Sequence, residues 1–405
     1  MNLKNLPNNI CALPFTAVHF RSTGKIGPCC DFNEKYMFDG FDTGKYLESE
    51  SLKDTKDTFL RGEWPKGCIT CKIQEERTGH SRRLQETPNF LGHLPTNTLE
   101  PYMLTEFNKL FYLNLGLNNK CNLGCIMCSS SNSSFLMHEM HQNSAHFLKE
   151  GTSNDTNIYT NDPVYENPFN TRMTDEQIDD LVNMIDIDHK ATRITFHGGE
   201  PSIMKEPYDI LTKIKERNIQ DKVIVSFNSN FNQYNEKWFE AVSEFESQAL
   251  ISLDAIGKQG EYIRWPSNWN IIESNILRFK ESYGSKVRIT ICPTIQILNV
   301  LHLCDLNKWC LENDLELTFN GILQWPNILS ISNLPNNLKE NLKKELEILD
   351  YTSGFGRDER PNIYKCLDQD PTNHLNETRN WLDRIDMIRG TNWKECFPYL
   401  DYNNE

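Results

Sequence analysis

Several things are scarce in these 405 residues, and each absence excludes a class of protein. No run of uncharged apolar residues approaches the roughly 18 needed to cross a bilayer, so no membrane span is expected. The first ten residues lack a charged start followed by an apolar core, so no secretory signal is expected and the chain is read as soluble and cytoplasmic. With only 20 Gly and 18 Pro, and with 11% aromatics, the composition excludes collagen-like and disordered chains. Basic charge is also short: 42 Lys and Arg stand against 56 Asp and Glu, a net charge of −14. The deficit lies mainly in residues 101–330, with 19 basic against 29 acidic residues. Nucleic-acid binding draws its affinity from clustered cations that displace counterions, so no nucleic-acid partner is expected. One basic knot, Arg77, His80, Arg82 and Arg83, is too small to change that.

Cysteine, by contrast, is plentiful. There are 13, and in a reducing compartment clustered thiols point to metal rather than to disulfides. Cys11, Cys29, Cys30, Cys68 and Cys71 lie in the amino-terminal part, and Cys121, Cys125 and Cys128 lie together. Cys292, Cys304, Cys310, Cys366 and Cys396 are scattered and read as small hydrophobes.

From about residue 111 the sequence alternates β-rich runs with helical patterns. The strand candidates are 111–117, 193–197, 223–227, 250–254, 287–294 and 316–319. Helical periodicity marks 178–187, 208–217, 236–246, 269–282 and 301–313, the first opened by the capping-box sequence Thr174-Asp-Glu-Gln177. Alternation of this kind implies an α/β fold with a parallel sheet and right-handed crossovers. Six units are too few to close an eight-fold barrel, so the expectation is a partial (β/α)6 TIM-like barrel. Residues 1–100 read as a small metal-stapled α+β domain, 101–330 as the barrel and 331–405 as a helical extension. The Ser-, Asn- and Thr-rich interval 129–173 is long for a connection, which marks it as functional or disordered.

Cys121-Asn-Leu-Gly-Cys125-Ile-Met-Cys128 has C-x3-C-x2-C spacing directly after the first barrel strand. That is the carboxyl edge, where α/β folds place their sites. Three thiolates in so short a loop can hold three irons of a cubane and leave the fourth open; the alternative is a structural zinc site with a distant fourth ligand. Gly198-Gly-Glu-Pro201 follows the second strand, and two glycines there let backbone approach a ligand closely. Ser229-Asn230-Phe231 follows the third strand, and Ser252-Leu-Asp254 closes the fourth, with Arg264 downstream.

Together these residues resemble the radical S-adenosylmethionine (SAM) enzymes over residues 111–320. The resemblance implies that Cys121, Cys125 and Cys128 hold a SAM-binding [4Fe-4S] cluster. It implies that Gly198, Gly199, Glu200 and Pro201 form the turn receiving the SAM amino group. Asn230 would lie on the ribose side, and Ser252, Asp254 and Arg264 would meet the ribose hydroxyls and the carboxylate. Phe231 departs from the family's usual Gly. His197, just before the glycines, reads as a packing residue. The implied activity is reductive cleavage of SAM to a 5′-deoxyadenosyl radical that abstracts hydrogen from a substrate, with electrons from a flavodoxin- or ferredoxin-like reductant.

The amino-terminal pattern, Cys11, twelve residues, Gly24, four residues, Cys29, then Cys68-Ile-Thr-Cys71, resembles a SPASM or twitch domain, here preceding the barrel. The resemblance implies an auxiliary [4Fe-4S] cluster on Cys11, Cys29, Cys68 and Cys71, with Cys30 spare or exchanging with Cys29. A four-cysteine zinc ribbon is the alternative. Relatives with such domains often modify peptides, so a peptide or protein substrate is expected. A small metabolite or sugar derivative, and a non-catalytic iron–sulfur carrier, remain the other readings.

Overall fold

The computed structural model describes residues 7–78, 81–93, 110–143, 173–185, 192–319, 321–323, 326–347, 360–369 and 374–401. The chain divides into two compact units. The first comprises Met1–Asn119, Asn167–Phe227 and Glu236–Ser247, and the second comprises Lys120–Glu166, Asn228–Asn235 and Gln248–Glu405.

In the first unit, β1 (Ala17–Arg21), β2 (Lys25–Gly27) and β3 (Phe38–Asp39) form an antiparallel ribbon. β1 also pairs in parallel with β4 (Tyr112–Gly116), which pairs in parallel with β5 (Thr192–His197), and β5 with β6 (Val223–Ser229). The strand order here is β6-β5-β4-β1-β2-β3, so the amino-terminal segment contributes directly to the sheet that carries β4. The two faces of this sheet differ sharply. Leu113, Leu115, Ile194, Phe196, Val225 and Phe227 are fully buried on one side. There Trp238 sets its ring edge-on against Phe196 and Phe227 at 5.7 and 5.5 Å. The other side carries half-buried Tyr112, Asn114, Arg193, Thr195 and His197. Parallel strands covered by apolar helices on both faces read as unbroken hydrophobic runs; the alternation here leaves one face polar and partly open.

In the second unit β8 (Val287–Ile291) pairs in parallel with β10 (Glu316–Leu317), and β9 (Thr294–Ile295) with β11 (Gly321–Ile322). The Ile251 carbonyl, at the end of β7 (Glu246–Ile251), accepts the Cys292 N–H at 2.8 Å. The chain is thus α/β with mostly parallel pairing, and the six strands expected of the partial barrel are β4, β5, β6, β7, β8 and β10.

Two strands differ in extent from the sequence reading. β7 ends at Ile251, which places Ser252 and Asp254 on the loop beyond it. The run 287–294 breaks at Cys292-Pro293, since proline has no N–H to continue a ladder. The capping box is formed: the Thr174 hydroxyl accepts from Gln177 N at 3.2 Å, and the Gln177 side chain accepts from Thr174 N at 2.9 Å. Within the 129–173 interval a helix forms over Ser134–Gln142, and residues 144–172 lie outside the described ones. After residue 331 the main elements are the helices Asn336–Glu347, Arg360–Leu367, Leu375–Arg389 and Trp393–Cys396. Among the described residues no helix is long and apolar enough to cross a membrane.

Candidate functional site

The cysteine loop belongs to the second unit and is stitched in place by its backbone. Leu123 and Ile126 are fully buried and anchor it. Gly124 N donates to Trp265 O at 2.6 Å, and Ile126 N donates to Ile263 O at 2.8 Å. Ser133 caps the helix Ser134–Gln142 by accepting from Leu136 N, and its hydroxyl donates to Leu123 O at 2.6 Å. Cys121 N donates to the Ser134 hydroxyl at 3.1 Å. Cys125 is buried, while Cys121 and Cys128 are half-buried.

The segment that receives these loop hydrogen bonds also carries Arg264. Its Nε lies 2.7 Å from Asp254 Oδ2, and its Nη1 donates to Cys125 Sγ at 3.8 Å. Asp254 is completely buried and accepts from Thr294 N at 2.7 Å. Burial pushes the Asp254 carboxyl upward, and Arg264 opposes it. Burial likewise raises the Cys125 thiol against the pull of the Arg264 and Arg389 charges. The fold thus places a cation against the middle cysteine of the triplet.

Asn230 donates through Nδ2 to Asn122 Oδ1, inside the cysteine loop, at 2.8 Å, and its own Oδ1 accepts from Asn232 N at 2.9 Å. Phe231 takes φ +52°, a left-handed conformation that glycine adopts freely. Packing holds the larger residue there. Its ring is fully buried and meets Phe279 edge-on at 5.2 Å, and its carbonyl accepts from Asn275 Nδ2 at 2.9 Å. The Ser252 side chain is half-buried, and its N–H donates to Ser229 O at 2.8 Å. Cys121, Cys125, Cys128, Asn230, Ser252, Asp254 and Arg264 all fall within the second unit.

Gly198, Gly199, Glu200 and Pro201 belong to the first unit. Gly198 has φ +74°, and a Cβ there would come within 3.2 Å of the Gly116 Cα. Both the conformation and the approach require glycine. Glu200 is buried and caps the short 3-10 turn Pro201–Ile203, its Oε1 accepting from the Ser202 hydroxyl at 2.6 Å.

His197 does pack, as expected, but on a partner the sequence did not reveal. Its ring stacks on His19 of β1, with centroids 5.2 Å apart and planes 2° from parallel. The two rings meet over Gly116, where any Cβ would strike His197 at 2.8 Å. Among the described residues, His19 Nδ1, His197 Nε2 and Asn114 Oδ1 are buried without hydrogen-bond partners. Both imidazoles stay neutral: burial and then the Arg21 and Arg82 charges push His197 down to about 4, and burial followed by the His197 ring lowers His19 well below 6.5. The unfolded chain protonates these rings near 6.5, so between about 6.5 and 4 it binds more protons than the folded one. Stability is therefore fully present above this window and falls as pH drops through it, by about 3 kcal/mol for His197. A His19→Asn/His197→Asn variant is expected to show a flatter pH dependence of urea-unfolding free energy. An unchanged slope would refute the assignment.

The amino-terminal thiols also meet. Cys11, Cys29, Cys68 and Cys71 line one small cavity with Phe59, Trp64, Arg82 and Arg83. Cys30 does not line it. Its Sγ turns toward Asp31 Oδ1 at 3.7 Å, and its carbonyl accepts from Arg21 Nη2 at 2.8 Å. Gly67, just before Cys68, has no room for a side chain, because a Cβ would lie 2.2 Å from the Phe32 ring. Burial pushes the Cys11 thiol up to about 12 and raises Cys29 and Cys68 as well. Arg82 and Arg83, read from sequence as part of a basic knot, are ion-paired: Arg82 with Asp31 and Glu86, Arg83 with Glu75. The Arg77 side chain and His80 lie outside the described residues.

Among the described residues no group of three or more His, Cys, Asp or Glu is gathered so as to hold a metal ion. The donors nevertheless match iron–sulfur ligation in type: four thiols share one cavity in the first unit, and three share one loop in the second.

No family model matches the chain, and no curated protein matches it. Among solved structures, native anSMEcpe with bound AdoMet is 16% identical over 69% of this chain and 62% of that one, with a TM-score of 0.38. Streptococcus suis SuiB bound to S-adenosylmethionine is 13% identical over 86% of this chain and 73% of that one, also at 0.38. A complex of anSMEcpe with AdoMet and a peptide is 15% identical over 59% and 61%, again at 0.38. The chain therefore spans less than two thirds of the first of these. Likeness of this degree carries no argument, and the functional reading rests on the chain's own residues.

Proposed function

We propose that this chain is a radical SAM enzyme that cleaves SAM reductively and abstracts hydrogen from a peptide or protein. The observation that carries the reading is the assembly around the C-x3-C-x2-C loop: Arg264 bridges the buried Asp254 and Cys125, and Asn230 joins the loop at Asn122. A purely structural zinc loop needs neither a buried carboxylate–guanidinium pair nor a polar residue in its fold.

In this reading Cys121, Cys125 and Cys128 hold a [4Fe-4S] cluster, which when bound supplies one electron to the sulfonium of SAM and leaves methionine and a 5′-deoxyadenosyl radical. The chain's own residues bind and orient. Arg264 carries a guanidinium suited to a carboxylate and is held by its ion pair with Asp254. Asn230 and Ser252 offer polar groups for ribose hydroxyls. The Gly198-Gly199 turn presents backbone that a ligand can approach closely, with Glu200 immediately after it. The peptide substrate is inferred from the resemblance of the amino-terminal cysteine pattern to auxiliary-cluster domains of peptide-modifying enzymes, and a flavodoxin- or ferredoxin-like protein is the inferred electron donor.

The test is anaerobic. The protein is reconstituted with iron and sulfide, mixed with SAM and dithionite, and 5′-deoxyadenosine is quantified. Product above the rate of SAM with reduced buffer supports the proposal; none from a fully loaded protein rejects it.

The auxiliary cluster is assigned to Cys11, Cys29, Cys68 and Cys71 because they share a cavity that Cys30 does not reach. In a background lacking the three loop cysteines, Cys29→Ser is expected to remove about four irons per chain, whereas Cys30→Ser retains them. Iron analysis that found the reverse would exchange the roles of the two residues.

A further inference from the structure

Within the second unit, the carboxy-terminal helix Leu375–Arg389 meets the elements around the cysteine loop at two points one turn apart. Asp386 accepts the Tyr262 hydroxyl at 2.8 Å through Oδ1 and Trp393 N at 2.7 Å through Oδ2. Tyr262 opens the segment whose Ile263 and Trp265 carbonyls receive Ile126 N and Gly124 N from the cysteine loop. Three residues later, on the same helical face, Arg389 addresses the loop itself.

Arg389 has a side chain only 1% exposed. Its Nε donates to Glu139 Oε1 at 2.9 Å, and its Nη2 donates to Glu139 Oε2 and to Gly124 O, both at 2.7 Å. Glu139 stands on the helix Ser134–Gln142, which follows the loop directly. Gly124 is hemmed in from the same side: a Cβ there would meet Phe135 at 2.9 Å and Arg389 Nη2 at 3.1 Å. Gly124 is thus gripped at both ends of its peptide units, its N–H by Trp265 and its carbonyl by Arg389.

We propose that Arg389 is a positioning residue for the cysteine loop, fixing the Gly124 carbonyl and through it the direction in which Cys125 presents its sulfur. The carboxy-terminal helix is then a working part of the site rather than an appendage. Its role in SAM chemistry rests on the reading given above; its role in the loop's geometry does not.

The test uses the full-length, metal-free protein and reads the rate of cysteine alkylation by iodoacetamide, residue by residue, by mass spectrometry. Removing one member of a buried ion pair strands the other, so the deciding variant replaces both, Arg389→Met with Glu139→Leu. Because the Arg389 charge also lowers the Cys125 thiol, rates are taken per thiolate from the rate–pH profile, and on that footing Cys125 is expected to react roughly tenfold faster, the effect of losing about one well-formed hydrogen bond. The rate at Cys310, buried on the helix Leu303–Glu312 of the same unit, stays as in the native protein. An unchanged Cys125 rate, or an equal rise at Cys310, overturns the proposal. Should the double variant not fold, Arg389→Lys decides instead. It keeps the charge opposite Glu139 but lacks the fork that spans both acceptors, so Cys125 again reacts faster, and an unchanged rate overturns the proposal. Loop cysteines that take up no iron in the native protein would defeat the SAM reading separately.

Discussion

Replacing Cys121, Cys125 and Cys128 together by alanine is expected to reduce 5′-deoxyadenosine formation to the background of SAM with reductant, a loss of about a thousandfold or more. The fold should survive, because the loop is anchored by Leu123 and Ile126 and by backbone hydrogen bonds to Ile263 and Trp265, none of which involves sulfur. The amino-terminal cysteines lie in the other unit, so under the proposed auxiliary-cluster assignment their iron should remain. Iron content and product are therefore measured side by side. Loss of product with retention of the amino-terminal iron locates SAM cleavage at the loop. A triple variant that forms product at the native rate would move the chemistry elsewhere.

Asp254→Ala is expected to destabilise the chain by about 3–5 kcal/mol, because it strands the Arg264 charge in the interior. Asp254 is wholly buried, and its contacts with Arg264 at 2.7 Å and with Thr294 N at 2.7 Å would both be lost. The paired change Asp254→Leu/Arg264→Met removes both charges and should recover most of that stability, since well-packed apolar residues often replace a buried pair at little cost. It should not recover SAM cleavage if Arg264 binds the ligand. Denaturant unfolding and product formation thus separate the structural role of the pair from its binding role. A paired variant that cleaves SAM at the native rate would show that the pair only supports the fold.

The α/β alternation was legible because it depends on local periodicity. The Thr174–Gln177 box, the strand at Tyr112–Gly116 and the helix at Trp269–Tyr283 each follow from a few neighbouring residues. Strand ends were less legible. The stretch Glu246-Ser-Gln begins β7 although its composition is polar, because alternate residues Ser247, Ala249 and Ile251 are the buried ones. That shift places Asp254 beyond the strand, where it meets Arg264 and Thr294.

What the sequence determined by itself is the chemistry available: which thiols are close along the chain, where two adjacent glycines permit a sharp turn, and where strands give way to loops. Those features are set by spacing over a few residues. Only the tertiary structure decided which distant groups share a site. β1 pairs with β4 across some ninety intervening residues, bringing His19 onto His197 over the bare Gly116. Cys11 and Cys71 come to one cavity while Cys30 turns away from it. Arg389 reaches Gly124 across 265 positions. No local pattern encodes such contacts, because they are selected by the packing of whole elements, in which a buried charge or ring is held only where its partners already stand.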